Sequence, residues 1–357
     1  MTARLLIAAA LLPLWCRTPA AARTLPSARR PAGLARVADL PLPGPPGRFD
    51  YQAFDAAAGR LYISRMGAGR VLVYDARRRR VVADLPGFPG ATGITLAPES
   101  GLAFVSTTGG FYGRALGRGR VRALRLADLK TVADLPAGGF PDGSAWVPPL
   151  RRLFVSNERG GRETMIGGEP PRVLKTLPLG GEAGNSAYDA DGRRVLVNVQ
   201  TRRELAVIDP RTLRLVGRIP LPPGCAHNHG LLVDDADRKA FVACDGNARL
   251  LTLSLPDLRV AQVDSVGPDP DVLALDPARG LLYVAGEGGT AAVFSVRGAR
   301  TRRLWRGWVG PDAHSVATDP ETGLAYFPLA DAGGRPLLRV MRFVAHDATA
   351  GRAPRRP

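Results

Sequence analysis

The stretch CAHNHG, residues 225–230, brings Cys225, His227 and His229 within five positions and holds two of the four histidines of the chain. Imidazoles titrate near neutral pH, move protons and ligate metals. A second cysteine, Cys244, follows nineteen positions after the first. Two chemistries fit this set. An isolated cysteine pair in an oxidising compartment reads as a disulfide, which leaves the imidazoles free for another task. The alternative is a Cys/His zinc site that uses Cys225, His227, His229 and Cys244 together. Nucleophile motifs are absent: there is no G-x-S-x-G elbow, H-E-x-x-H helix, C-x-x-C pair or P-loop. Ser144, Ser186 and Ser315 carry no mark of activation. No helix is expected after Gly109-Gly110, so these glycines are not read as a phosphate cradle.

The elements that must position these residues follow from an internal repeat. Seven segments align without gaps: DYQAFDAAAGRLYIS (50–64), TGITLAPESGLAFVS (92–106), DGSAWVPPLRRLFVS (142–156), GNSAYDADGRRVLVN (184–198), HGLLVDDADRKAFVA (229–243), DVLALDPARGLLYVA (271–285) and HSVATDPETGLAYFP (314–328). Their starts are 42, 50, 42, 45, 42 and 43 residues apart, a period suited to one four-stranded propeller blade per repeat. VLVYD (71–75), LAVID (205–209), LLTLS (250–254), AAVFS (291–295) and LLRVM (337–341) read as third strands. VVADLP (81–86), TVADLP (131–136), VLKTLP (173–178) and LVGRIP (215–220) read as outer strands that a proline ends. The seventh repeat runs out after its third strand, while RVADLP (36–41) nearly copies the outer strands. It is expected to complete the last blade and close the ring, which removes exposed edges. The fold class is therefore all-β: a seven-bladed propeller of four-stranded antiparallel blades over 34–344.

These repeats resemble the YVTN β-propeller repeat family, most clearly in DADGRRVLVNVQTRRELAVIDPRTLRLVGRIPL (189–221). The signature tetrapeptide occurs in altered forms, LVNV (196–199), FVSN (154–157) and YVAG (283–286). The resemblance implies a secreted or surface propeller with a binding or scaffold role. It supplies no catalytic residues.

In a propeller the first strand of each blade, strand a, lines the central channel. The first residues of the seven strands a then form a ring of Asp50, Thr92, Asp142, Gly184, His229, Asp271 and His314. Two positions earlier a second ring nearer the mouth holds Arg48, Gly90, Phe140, Glu182, His227, Asp269 and Asp312. If the strands stay extended, both members of a pair face the same way. The mouth is thus expected to be acidic and rich in imidazole, with Asp50, Asp142, Glu182, His227, His229, Asp269, Asp271, Asp312 and His314 as binding candidates. A divalent metal held by His227, His229, Asp271 and His314 would activate water or polarise a lactone or carboxylate, making the protein a hydrolase or lyase. The plainer alternative is that these side chains bind loop amides or one another. A Cys225–Cys244 disulfide would hold His227 and His229 in place. Two connections on this face are unusual: TTGGFYGRALGRGR (107–120), with Phe111 and Tyr112 exposed, and NERGGRETMIGGEPP (157–171), where a third strand is hard to see.

Arg4, the apolar run Leu5–Trp15 and the small residues before Ala22 read as a secretory signal peptide over 1–22. A Pro/Arg-rich lead (23–33) and a disordered tail (345–357), with His346, flank the propeller. The mature protein is expected to be a periplasmic or extracellular monomer with no transmembrane segment. The net charge of +17 is carried almost wholly by arginine, since lysine occurs only at 130, 175 and 239. The charge is dispersed, so it supports weak, salt-sensitive attraction to nucleic acid or anionic envelope polymers rather than a defined nucleic-acid site. The leading expectation is a binding scaffold that holds a small molecule or a protein partner at the channel mouth.

Overall fold

Alternating apolar residues closed by Gly, Pro or Asp turns produce seven four-stranded antiparallel sheets in the computed structural model, which describes residues 32–345. Six sheets are continuous in sequence, each running from inner strand a to outer strand d. The seventh joins strands Ala317–Asp319, Leu324–Leu329 and Leu337–Val344 to the N-terminal strand Gly33–Pro41, which pairs antiparallel along Leu337–Val344. The expected ring closure by RVADLP is therefore present. The signal peptide, all but the end of the lead, and the tail from His346 onward lie outside the described residues.

The core is a ring of seams rather than one centre. Seven clusters of buried apolar side chains each join two neighbouring blades; Leu61, Ile63 and Tyr326, for instance, link blades 7 and 1. Second strands are enclosed on both faces, so Lys239–Cys244 is buried at every position. Outer strands have one face in solvent and alternate, as in Arg80–Pro86. Sheet-on-sheet packing of this kind buries one face of each strand against the next blade.

Two connections differ from expectation. Gly109, in the left-handed region, caps a short helix, α1 (Gly110–Ala115), that begins at Gly110. Its single turn and a half leaves Phe111 and Tyr112 in solvent, and its few amides offer little dipole to an anion. Blade 3 has a regular third strand, Arg162–Gly167, whose residues Glu163, Thr164, Met165, Ile166 and Gly167 are buried. The polar Glu163 and Thr164 point into the protein, so the hydrophobic alternation that marks other third strands is lost.

Candidate functional site

Backbone irregularity sets the geometry of the mouth. In blades 2 to 6 the pairing of strands a and b slips by one residue near the start of strand a. Two residues of strand a then oppose one of strand b, a β-bulge of the kind that re-aims side chains. Asp142, His229 and Asp271 each occupy the first position of such a pair. The second position in blades 2, 3 and 5 is glycine. A Cβ on Gly93 would lie 1.9 Å from the Asp142 carbonyl oxygen, and one on Gly230 would lie 2.3 Å from that of Asp271. Neighbouring strands thus touch backbone to backbone around the axis.

The second ring departs from the sequence reading. Phe140, His227, Asp269 and Asp312 have φ between 48° and 56°, so the chain is left-handed rather than extended there. Such backbone turns the side chain away from the period-two direction. His227 consequently faces Asp245, with Nδ1 2.8 Å from Oδ1, and its Nε2 is 3.8 Å from a Glu182 oxygen. The Asp245 hydrogen bond holds its pKa above the usual histidine value.

His229 lies at the centre. Its Nδ1–H donates to Gln200 Oε1 at 3.2 Å. Its Nε2 is 3.2 Å from Asp271 Oδ1, 3.3 Å from the Tyr51 hydroxyl and 3.7 Å from Asp142 Oδ2. Burial disfavours the charged ring, but Asp271, Asp142 and Glu158 outweigh it and push the pKa up to about 10. His314 is fully buried; Nδ1 meets Asp312 at 3.1 Å, and Nε2, 3.9 Å from Asp50, has no hydrogen-bond partner. Burial again opposes its charge, and Asp312, Asp271 and Asp50 raise its pKa to about 9.

The carboxylates divide in character. Burial, reinforced by Asp142, holds Asp50 well above the usual range, and burial also raises Asp142. Asp271 is equally enclosed, yet contact with His229 overcomes burial and keeps its pKa low. Glu158, on the rim, is pushed up to about 7 by burial and the neighbouring Asp142.

A cavity of about 260 Å³ opens among these groups. Of the nine candidates, Asp50, Asp142, His227, His229, Asp269 and Asp271 line it. Glu182, Asp312 and His314 do not: the first contacts His227 and the other two pair with each other. The four residues considered as metal ligands do not converge, because each imidazole is engaged by its own carboxylate. Among the described residues, no group of three or more His, Cys, Asp or Glu side chains is arranged to hold a metal ion. The residues present do not fit the metal-dependent reading. Cys225 and Cys244 form a disulfide, which also rules out the four-residue zinc site. It ties the loop before His227 to the end of strand b, where Asn228 pairs with Cys244.

Sequence reasoning missed the floor of the cavity. Tyr51 reaches from blade 1 across the channel, donating its O–H to Asn185 Oδ1 at 2.7 Å and lying 3.1 Å from Asp142 Oδ2. It lines both the mouth cavity and a second cavity of about 300 Å³ further along the channel. Arg48 extends to Glu287 of blade 6 at 2.6 Å, and this pair bridges the sector of blade 7. The signal for Tyr51 was its place immediately after ring residue Asp50; a side chain that crosses the axis leaves no periodic mark.

No family model and no curated protein matches the chain. Solved structures do. The chain is similar to hydrazine synthase of Kuenenia stuttgartiensis, at 14% identity over 86% of this chain and 97% of that one, with a TM-score of 0.64. A chain of the mitotic checkpoint complex matches at 11% identity over 92% and 99%, with a TM-score of 0.71. The WD40 repeats of RRP9 match at 8% identity over 88% and 100%, with a TM-score of 0.70. At these identities the likeness is one of fold: the chain is a seven-bladed β-propeller, and none of these matches supports the narrower YVTN family.

Proposed function

We propose that this protein is a binding propeller that works outside the cytoplasm and holds a small polar ligand in the mouth of its central channel. One observation carries the reading. Asp50, Asp142 and Asp271 are buried around an open cavity, yet among the described residues no backbone amide donates to any of them. Buried carboxylates are costly unless hydrogen-bonded, and capping of loop amides is their ordinary structural use. Here that use is missing. Four blades contribute to the cavity wall, so the site exists only in the closed ring.

The signal-peptide pattern of residues 1–22 and the Cys225–Cys244 disulfide support the extracytoplasmic setting. Among the described residues no helix is long and apolar enough to cross a membrane. The surplus of arginine adds only generic attraction to anionic polymers, lost as salt rises.

A thermal-shift screen of the purified protein against polar metabolites tests the binding reading, with Tyr51→Ala as the comparison. A stabilising ligand whose effect disappears in the variant is the expected result. Ligands that stabilise both proteins equally would move the site elsewhere. An N-terminal fusion of residues 1–40 to a reporter active only outside the cytoplasm tests the setting; an inactive reporter rejects it.

A further inference from the structure

Resting on the mouth being a ligand site, we infer that its ligand is a small organic cation, a primary amine or guanidinium whose charged head is received by Asp271 and Asp142 above Tyr51. The chain carries 49 Lys and Arg against 32 Asp and Glu, yet the cavity inverts that balance. Seven of its thirteen lining residues are aspartate or glutamate, with Asp50 among them held well toward the neutral acid, against two arginines and two histidines. An acidic recess in a strongly basic surface concentrates field lines on a cation and repels the anions that the rest of the molecule attracts.

A second observation is independent of charge count. Asp271 is 8% exposed and lines the cavity, and its buried Oδ1 has no hydrogen-bond partner. His229 Nε2 lies 3.2 Å away and holds it as an ion pair rather than an aligned hydrogen bond. A carboxylate this enclosed that accepts no aligned hydrogen bond among the described residues has acceptor capacity left for a ligand N–H.

The protein's own cations already use these acids: the His229 ring lies between Asp142 and Asp271, His227 faces Asp245 and Arg48 rests on Glu287. The metal alternative fails on the donor arrangement described above. Size sets the other limit. At about 260 Å³ the cavity falls below the ~300–1,000 Å³ of pockets for drug-sized ligands, which leaves room for a short diamine or a guanidino-alkylamine.

Titration calorimetry with agmatine, putrescine and glutarate tests this on the wild type, Asp271→Asn, Asp142→Asn and the exposed control Asp191→Asn. Unfolding curves confirm that each variant is folded, and having two mouth variants guards against loss of one. Agmatine or putrescine should bind the wild type and Asp191→Asn alike and lose at least ten-fold in affinity in either mouth variant. Glutarate should not bind. Glutarate binding that the mouth substitutions alter would overturn the cation assignment while leaving the mouth as a ligand site. Amine binding indifferent to both substitutions would overturn the assignment as generic surface attraction. Failure of both amines at millimolar concentration, with another polar metabolite binding in a Tyr51-dependent way, would overturn it and again spare the mouth.

Discussion

The two ends of strand a carry aspartates buried to the same degree and used in opposite ways. At the end remote from the mouth, Asp55, Asp189, Asp234, Asp276 and Asp319 each accept a backbone N–H from the turn that follows, from Ala58, Gly192, Asp237, Arg279 and Glu321 respectively. At the mouth, Asp50, Asp142 and Asp271 accept none, and they face one another, two imidazoles and a tyrosine. None of the eight is more than 8% exposed. Burial alone therefore does not separate an acid that shapes a turn from one kept for a ligand. What donates to it does.

Glu163 sharpens the contrast most, since it has neither amide nor cation. Fully buried in the wall between blades 3 and 4, it accepts hydrogen bonds from the hydroxyls of Ser156 and Ser186 at 3.1 and 2.7 Å. Burial pushes its pKa to about 8. The folded state thus binds the proton more tightly than the unfolded state. Stability is intact below about pH 4.5 and falls as pH rises toward 8, by about 1.4 kcal/mol per unit. In chemical denaturation between pH 5 and 9, Glu163→Gln should lose on the order of 4 kcal/mol less than the wild type, while the raised pKa values of His229, His314 and Glu158 keep a slope in both proteins. A variant that keeps the full slope would place the titration on another group.

Next in size is the turn end. Asp189 accepts from the Gly192 amide at 2.9 Å, from Arg194 Nε at 2.8 Å and from Arg238 Nη1 at 3.2 Å. Asp189→Ala leaves these donors unpaired and should cost about 3 kcal/mol in unfolding free energy. Ligand affinity at the mouth should not change; a parallel loss of affinity would merge the two classes of aspartate. Replacing Cys225 and Cys244 together by alanine should cost about 3 kcal/mol or somewhat less by releasing loop entropy, read by the same denaturation, while ring closure persists.

The blades were legible because a 42–50-residue period and outer-strand alternation survive in any sequence that must bury one face of each strand. The ring of strand-a starts was legible for the same reason. The third strand of blade 3 was hidden by Glu163 and Thr164, polar residues buried where an apolar pattern is expected. The turn of His227 toward Asp245 was hidden because extension was assumed where backbone at φ 56° prevails. Tyr51 was missed because its role depends on reaching Asn185, 134 positions away, and no local pattern encodes a contact across an axis.

The smallest expected effect is the most discriminating. Asp50 is held above the usual carboxylate range, so its folded state favours the neutral acid, a shape that asparagine reproduces. Asparagine keeps that neutral form and cannot acquire the charge that burial and Asp142 oppose, while Asp312 and Asp271 remain beside the His314 ring. No backbone amide loses an acceptor. Asp50→Asn should therefore not lower the unfolding free energy near neutral pH, and any gain should shrink as pH falls toward 4. Over the same series Asp189→Ala should remain strongly destabilised. If Asp50→Asn instead loses about 3 kcal/mol, comparable to the turn substitution, the mouth aspartate is a structural element like those at the other end of the strand, and burial without an amide donor ceases to mark a binding site.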